Sequence, residues 1–195
     1  MFIAFEGIEQ SGKSAISINF TKYLNSCREN DIVKIDPHFG DFVWTKEPSF
    51  SSEEAQALNN EIYIDENKRE RIFFESRIRH QNQIAGKNIV CERYLWSGLA
   101  YAHKYSHSCF RFLKELYTSE TLFIQPDLYI FVDTPPNVCC ERNTSLDIDT
   151  QAEILDSYAF TRKYIRIPVI NIKTIEDEKA TLKSLIKSFE EYYRK

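Results

Sequence analysis

The chain has 195 residues, of which 43% are hydrophobic and 28% are charged. This length fits a single globular domain over residues 1–195, which can bury roughly 70% of its unfolded surface without help from disulfides or metals. The formal net charge of -4 argues against a polyanion-binding surface, and no apolar run approaches the ~20 residues of a membrane-spanning helix, so neither nucleic acid nor a membrane is an expected partner.

Short apolar runs alternate along the chain with amphipathic helical patterns. Four of the runs have the length of strands that are buried on both faces: Phe2–Phe5, Ile89–Cys91, Leu128–Val132 and Pro168–Ile172. A further predicted strand ends at Trp44-Thr45-Lys46. This alternation predicts an α/β fold with a parallel sheet, in which ligands bind at the carboxyl ends of the strands.

Helices are predicted from periodicity and from capping. Apolar residues form one stripe from Ala15 to Cys27 and another from Leu182 to Tyr193. The segment Ser51-Ser52-Glu53-Glu54 is typical of a capping box, which would open a helix through about Asn59.

The first predicted strand runs directly into a glycine-containing loop. The loop reads Gly7-Ile8-Glu9-Gln10-Ser11-Gly12-Lys13-Ser14 and leads into the first amphipathic helix. Glycines allow backbone N–H groups to wrap around phosphate oxygens at a helix N-terminus. We expect all eight residues of this loop to bind ATP, with Lys13 reaching the outer phosphates and the Ser14 hydroxyl ligating Mg²⁺. A chance match is disfavoured because the required strand and helix flank the loop.

Charged pairs follow two other predicted strands. Glu92-Arg93 comes directly after Ile89–Cys91, and Lys46-Glu47 ends the strand that contains Trp44. An ordinary ion pair explains the first of these clusters and a solvated turn explains the second. From the residues alone, both explanations compete with a functional one.

Two further features lie beyond the strand ends. Phe73 and Arg77 are four residues apart and therefore share one face of a helix, where a ring for stacking and a guanidinium for hydrogen bonding suit a flat base. A core phenylalanine beside a surface arginine has the same spacing. Arg142 follows the Leu128–Val132 strand and its turn, and it is either directed toward the phosphates or a surface charge.

Taken in order, these clusters resemble the thymidylate kinase family of nucleoside monophosphate kinases over nearly the whole chain. Phe5–Ser14 resembles that family's F-E-G-x-[DE]-x-x-G-K-[ST], Thr45–Pro48 its T-R-E-P, and Phe73–Arg77 its F-x-x-x-R. Glu92–Tyr101 resembles D-R-Y-x-x-S-x-x-A-Y, and Pro126–Leu128 resembles the P-D-L strand that leads to the lid. Five motifs in register make the resemblance specific.

The resemblance implies an α/β, three-layer P-loop NTPase fold, a parallel sheet flanked by helices, with a short lid segment at about residues 142–150. The whole chain would then be one kinase domain. It would transfer the γ-phosphoryl of ATP to dTMP with Mg²⁺ as cofactor, giving dTDP and ADP in dTTP biosynthesis, and it would be a homodimer. The five cysteines are odd in number and include no C-x-x-C pair, which predicts reduced thiols and a cytoplasmic location.

Roles for individual residues follow from the same resemblance. On the acceptor side it assigns Phe73 to stacking on thymine, Arg77 to the base edge, Ser97 and Tyr101 to the lining of the base pocket, Glu9 to the sugar hydroxyl, and Lys46 and Arg93 to the acceptor phosphate. For catalysis it assigns Lys13, Arg93, the lid arginine Arg142, and Glu92, which would place the magnesium ion together with Ser14.

The sequence departs from the family pattern at several positions. Lys46 replaces the usual arginine, which changes a bidentate phosphate contact into a point charge. Glu92 is one methylene longer than the usual aspartate. The loop and the lid lack the family's extra arginine, so Arg142, or Arg162 from the following helix, must supply the transition-state cation, worth on the order of 10³–10⁵ in rate. The segment Asn30–Phe42 is longer than in the family and has no assigned purpose.

Two alternatives to a monophosphate kinase remain. A deoxynucleoside kinase has a similar Glu-Arg pair, an E-P turn and a T-x-P-x-V-x-x-E-R stretch, here Thr134–Arg142, and Glu47 or Glu92 could serve it as general base. Glu9, the pair Phe73-x-x-x-Arg77 and the short chain favour the monophosphate acceptor. A nucleotide-binding protein with little or no turnover would also fit the arginine-poor lid.

Overall fold

A computed structural model of the chain describes residues 1–29, 41–51, 54–56, 58, 66–119, 122–142, 145–174 and 177–193. The strands in these ranges are β1 (Phe2–Glu6), β2 (Phe42–Lys46), β3 (Asn88–Glu92), β4 (Leu128–Asp133) and β5 (Val169–Lys173). The helices are α1 (Lys13–Glu29), α2 (Glu66–Ile84), α3 (Leu95–Tyr105), α4 (His107–Tyr117), α5 (Pro136–Glu141), α6 (Ile148–Thr161) and α7 (Glu178–Tyr193). A 3₁₀ turn, Arg162–Tyr164, follows α6.

The five strands pair in the order β2-β3-β1-β4-β5, and every neighbouring pair is parallel. β1 lies in the centre, and its residues are all buried. The register places Phe5 opposite Glu92, and Glu92 opposite Lys46 on the next strand. The carboxyl ends of β1, β2 and β3 therefore meet at one edge of the sheet, which is where an open α/β fold binds its ligands.

Helices cover both faces of this sheet because the strands are apolar on both sides. Phe2 and Ala4 of β1 face one core, and Ile3 and Phe5 face the other. The first core includes Leu99 of α3, Leu113 of α4 and Ile154 of α6. The second includes Phe20 of α1 and Phe189 of α7, whose rings meet edge to face with centroids 5.1 Å apart. The predicted three-layer α/β arrangement is confirmed.

Two details of the predicted burial are wrong. Residues Pro168–Ile172 were expected to form a strand buried on both faces, but Asn171 and Lys173 of β5 are exposed and Ile172 is its fully buried residue. Among the strands that the structure describes, β5 lies at the edge of the sheet and pairs only with β4, so it needs less apolar surface. Ala15, expected in the apolar stripe of α1, is exposed and lines a cavity at the helix start.

The predicted capping box is confirmed by its two reciprocal hydrogen bonds. Ser51 Oγ accepts from the Glu54 backbone N–H at 3.2 Å, and the Glu54 carboxylate accepts from the Ser51 N–H at 2.8 Å. Residues 54–56 and 58 are helical, and the end of the predicted helix at Asn59 lies outside the described residues. Most of the long segment Asn30–Phe42 also lies outside them. Over the part of the chain that the structure describes, a search for membrane-spanning helices finds none.

Candidate active site

A cavity of about 780 Å³ opens at the carboxyl ends of β1, β2 and β3. Most of the sequence-predicted site residues line it: Glu9, Gln10, Ser11, Gly12, Lys13, Ser14, Lys46, Phe73, Arg77, Glu92, Arg93, Ser97 and Tyr101. Gly7 and Ile8, the first two loop residues, are buried and do not line the cavity, and Arg142 also lies outside the lining. The fold therefore brings together residues as far apart in the sequence as Glu9 and Tyr101.

The loop between β1 and α1 depends on glycines at two positions. Gly7 has φ +143°, and a Cβ there would lie 2.6 Å from the Val132 carbonyl oxygen, so the loop rests on the end of β4. Gly12 has φ +89°, directly before α1 begins at Lys13. Gln10 also adopts a left-handed conformation, with φ 57°, although it is not a glycine. These turns place the backbone N–H groups of the loop at a helix N-terminus, where an anion binds favourably.

Lys13 is a buried cation whose hydrogen bonds go to neutral oxygens. Its Nζ donates to the Ile8 carbonyl and, at 3.0 Å, to Ser11 Oγ. Burial lowers the pKa of Lys13 well below its usual value, and the positive charge of Arg93 lowers it further. A phosphate group would offer this ammonium a charged acceptor, which strengthens a hydrogen bond and favours the protonated form.

Glu92 is paired on one oxygen and free on the other. Lys46 Nζ lies 3.3 Å from Glu92 Oε1, as the register of β2 and β3 requires. Glu92 Oε2 is buried and has no hydrogen-bond partner within the described part of the chain. Ser14 is exposed at the same cavity. A hydroxyl and an unsatisfied carboxylate oxygen are hard ligands that suit Mg²⁺ or its bound water.

Protein side chains alone do not complete a metal site here. Among the described residues, no group of three or more His, Cys, Asp and Glu side chains is arranged to hold a metal ion. Mg²⁺ commonly keeps several waters and takes one or two protein ligands besides substrate phosphates. The residues Ser14 and Glu92 therefore fit an ion that arrives with a nucleotide.

Arg93 is fixed between the loop and α3. It has a left-handed backbone, with φ 63°, immediately after β3. Its Nη1 donates to the Gly7 carbonyl at 3.2 Å and lies 3.4 Å from Ser97 Oγ. The guanidinium also lies over the Tyr101 ring, 5.3 Å from the centroid. Arg93 is thus held at the boundary between the loop end and the α3 end of the cavity.

A buried carboxylate that the sequence reasoning missed supports this arginine. Glu6 accepts a hydrogen bond from the Tyr94 N–H at 2.9 Å, another from the Ser97 hydroxyl, and a longer one from Tyr158 at 3.3 Å. Burial raises the pKa of Glu6, while the hydrogen bond from Ser97 and the charge of Arg93 oppose that rise. The available signal was a carboxylate at the end of an otherwise apolar strand.

Phe73 and Arg77 lie at the other end of the cavity. Phe73 is half-buried and meets the Phe50 ring edge to face, with centroids 5.1 Å apart. Arg77 is buried, its Nε lies 2.9 Å from Glu47 Oε2, and its Nη1 donates to the Tyr117 hydroxyl at 2.8 Å. The alternative of a core phenylalanine beside a surface arginine is therefore wrong, since the burial is reversed.

Several other lining residues were not predicted. Glu47 was named only as a possible base, and Phe50, Arg69 and Tyr105 were not named. Tyr105 is one helical turn beyond Tyr101 on α3, so periodicity could have found it. Nothing in the local sequence distinguishes Arg69 from the other charges of α2.

Arg142 lies against the outside of the loop. It caps the C-terminus of α5, and its Nη1 donates to the Gln10 carbonyl at 3.1 Å. Arg162 instead donates to the Ile165 carbonyl at 2.7 Å and lies over the Trp96 ring, outside the cavity lining. Of the two candidate lid arginines, Arg142 is the one next to the loop. The expected lid at 142–150 overlaps the start of α6 at Ile148.

Comparisons with known proteins agree with the motifs and the fold. A sequence model of the family described as thymidylate kinase matches residues 5–186. The thymidylate kinase of Mesomycoplasma hyopneumoniae (strain 7448) is 29% identical over 220 residues, which cover 99% of this chain and 98% of that protein. The thymidylate kinase of Plasmodium falciparum (isolate 3D7) is 27% identical over 188 residues, which cover 90% and 84%.

A solved structure of thymidylate kinase from Candida albicans has the same fold. It superposes with a TM-score of 0.73 at 18% identity, over 98% of this chain and 91% of that one. The family match contains all the motifs described above and extends over nearly the whole chain. The chain therefore belongs to the thymidylate kinase family of nucleoside monophosphate kinases.

Proposed function

We propose that this chain transfers the γ-phosphoryl group of ATP to dTMP, giving dTDP and ADP, as a step of dTTP biosynthesis. One observation carries the proposal: a continuous cavity of about 780 Å³ joins the loop that holds Lys13 to the aromatic end that holds Phe73 and Arg77. Arg93 lines the same cavity. A cavity of this form can hold a donor and an acceptor nucleotide at once, which removes most of the entropic cost of bringing them together.

At the acceptor end, each role has a matching side chain. Phe73, with Phe50 beside it, offers a ring for stacking on thymine. Arg77 offers N–H donors to the base edge, and Ser97 and Tyr101 line the pocket. Arg93 and Lys46 supply positive charge for the acceptor phosphate, and Glu9 faces the sugar hydroxyl. The sugar contact rests on the family resemblance.

At the donor end, the loop N–H groups and Lys13 bind the phosphates of ATP. Ser14 and Glu92 would hold Mg²⁺, which would neutralise negative charge on the phosphates. Arg93 and Arg142 lie on two sides of the loop and add fixed positive charge near the transferring group. Because these charges are already in position, they stabilise the transition state without a rearrangement of the protein during the reaction.

The geometry makes a deoxynucleoside kinase the weaker candidate. A bare 5′-hydroxyl needs a general base, and the two carboxylates considered for that role are each paired with a cation: Glu47 with Arg77 and Glu92 with Lys46. The cations Lys46 and Arg93 instead suit an acceptor that already carries a phosphate.

A coupled ADP-release assay over thymidine, dTMP and other monophosphates tests the proposal. We expect turnover with dTMP and none with thymidine. Thymidine turnover would indicate a deoxynucleoside kinase, and nucleotide binding without ADP release would indicate a binding protein.

The Phe73→Ala variant tests the acceptor site in the same assay. We expect the KM for dTMP to rise roughly 5- to 150-fold, because losing a stacking ring costs about 1–3 kcal/mol, while the KM for ATP stays unchanged. Phe112→Ala is the control, since Phe112 is exposed on α4 and outside the cavity lining. Equal effects of Phe73→Ala on both substrates would mean that the ring supports the fold rather than the base.

A further inference from the structure

A chain of buried polar groups lies behind Arg77. Thr45 Oγ1 lies 2.6 Å from His80 Nε2, His80 Nδ1 lies 2.8 Å from Glu47 Oε1, and Glu47 Oε2 lies 2.9 Å from Arg77 Nε. Tyr117 ends the chain by accepting from Arg77 Nη1 at 2.8 Å. His80 and Glu47 are each 1% exposed. Nothing in the roles assigned above uses His80.

The two ends of His80 are chemically distinct. A carboxylate can only accept hydrogen bonds, so Nδ1 must carry the proton that is directed to Glu47. In the neutral ring, Nε2 then accepts from the Thr45 hydroxyl. Both ring nitrogens are therefore used, which fixes the ring plane and the tautomer.

The position of His80 determines the orientation of Arg77. One carboxylate oxygen of Glu47 contacts His80 and the other lies beside Arg77. The contact with His80 therefore fixes the plane of the carboxylate and the position of its second oxygen. Arg77 Nε lies 2.9 Å from Glu47 Oε2 as an ion pair without hydrogen-bond alignment, so both of these buried atoms lack a hydrogen bond. Nη1 donates to Tyr117, and within the described part of the chain no hydrogen bond of Nη2 is found. Nη2 is thus the donor left for a ligand in the cavity that Arg77 lines.

We propose that His80 is a positioning residue for acceptor selection: its Nδ1–H holds Glu47, and Glu47 holds the Arg77 guanidinium so that Nη2 meets an oxo group of the base. The inference rests on the proposed function. An oxo group, as in thymine, accepts from Nη2. An amino group at the same place, as in cytosine, cannot, so the arrangement selects dTMP over dCMP.

Two variants of His80 separate its two hydrogen bonds. In His80→Asn, the side-chain amide takes the place of Nδ1 and keeps the bond to Glu47. In His80→Gln, the amide reaches the place of Nε2, keeps the bond to Thr45 and loses Glu47. Each variant removes one buried hydrogen bond, so a purely structural role would give both variants the same loss of stability and the same kinetics.

Steady-state kinetics with dTMP, dCMP and ATP on both variants test the proposal. We expect His80→Gln to raise the KM for dTMP about 10- to 100-fold and to reduce the preference for dTMP over dCMP, since a misplaced charged donor loses its hydrogen bond. We expect His80→Asn to stay within about threefold of the wild type. The KM for ATP should not change in either variant.

The proposal is overturned if the two variants raise the KM for dTMP equally, or if kcat falls while that KM stays constant. Should His80→Gln fail to fold, Glu47→Gln serves as the second variant. It keeps a carbonyl acceptor for His80 but removes the charge beside Arg77, and an unchanged affinity for dTMP in that variant would also overturn the proposal.

Equilibrium binding of dTMP to the same proteins separates this inference from the proposed function. A wild-type chain that binds dTMP without turning it over contradicts the proposed function and leaves the comparison of the two His80 variants intact. A wild-type chain that does not bind dTMP contradicts both.

Discussion

At the base end of the cavity, Gly98 leaves room for Tyr117 and Arg77 because it has no side chain. A Cβ added at this position of α3 would lie 2.6 Å from Tyr117 Cε2 and 3.0 Å from Arg77 Cζ, so one of these groups would have to move. We expect Gly98→Ala to raise the KM for dTMP at least about tenfold and to leave the KM for ATP unchanged, because a displaced donor loses a charged hydrogen bond. Initial-rate kinetics with each substrate varied in turn measure both constants.

Gly86 provides a matched control for that substitution. It has φ +70°, and a Cβ there would meet no atom within 4 Å. We expect Gly86→Ala to lower the free energy of unfolding by about 1 kcal/mol through backbone strain and to leave both KM values unchanged. If Gly86→Ala affected the KM for dTMP as Gly98→Ala does, the loss would reflect general destabilisation and not Arg77.

Lys13 should take up a proton when the triphosphate binds. Burial lowers its pKa in the free protein, so part of the population is neutral at alkaline pH, and a bound phosphate favours the charged form and raises that pKa again. At about pH 9, where nucleotide phosphates are fully ionised, we therefore expect net proton uptake that increases with pH. Affinity for ATP should fall as pH rises through the pKa of the free protein.

Titration calorimetry in two buffers with different ionisation enthalpies measures this uptake. Lys13→Met is the matched control, because it fills the same volume with an uncharged chain and should show no uptake and little phosphoryl transfer. Proton release on binding to the wild type would contradict the expectation.

At the scale of elements, the short helix α5 determines where the lid arginine lies. It ends at Glu141 and places Arg142 on the Gln10 carbonyl, while Arg162, in the 3₁₀ turn after α6, lies outside the cavity lining. We expect Arg142→Ala to lower kcat by about 10²–10⁴, with a smaller change in ATP affinity, because the charge acts mainly on the transition state. Arg142→Lys should restore activity only in part, since an ammonium group cannot replace the planar guanidinium and its paired N–H donors.

Single-turnover kinetics on Arg142→Ala and Arg162→Ala check this assignment. Arg162→Ala should keep the wild-type rate of the chemical step. If Arg162→Ala lost the chemical step and Arg142→Ala kept it, Arg162 and not Arg142 would supply the cation. If neither variant lost activity, the catalytic role of a lid arginine would be wrong.

The sequence predicted the elements better than the contacts between them. Apolar runs located β1, β3 and β4 to within about one residue, because a strand buried on both faces leaves few other choices of composition. The predicted burial of β5 was wrong, because a run of apolar residues does not show whether a strand lies in the centre or at the edge of a sheet.

Among the site residues, those that depend on local sequence were predicted, and those that depend on long-range contacts were not. The loop from Gly7 to Ser14 was predicted because its geometry depends on neighbours in the sequence. The burial of Arg77 could not be predicted, since its partner Glu47 is thirty residues away and periodicity shows only a shared helix face. The Lys46–Glu92 pair likewise follows from the register of β2 and β3, which no local pattern contains.

For the whole molecule, the family resemblance predicts a homodimer, and the cysteine pattern predicts a cytoplasmic location. Light scattering at working concentration should then give twice the chain mass of 23.0 kDa. Analysis across a dilution series separates a stable dimer from a weak one, because the mass of a weak dimer falls with concentration. A mass of 23.0 kDa at every concentration would contradict the prediction.

The central place of β1 also affects how the chain is made. β1 is synthesised first, yet its two neighbours in the sheet are β3 and β4, and Gly7 rests on the Val132 carbonyl. A ribosome adds about 5–20 residues each second, so the first strand waits several seconds for the residues that complete the surface beneath its loop. During that interval the carbonyl on which Gly7 rests has not been made, so we expect the loop not to bind nucleotide. We therefore expect nucleotide to stabilise the finished sheet and not to guide the folding of the nascent chain.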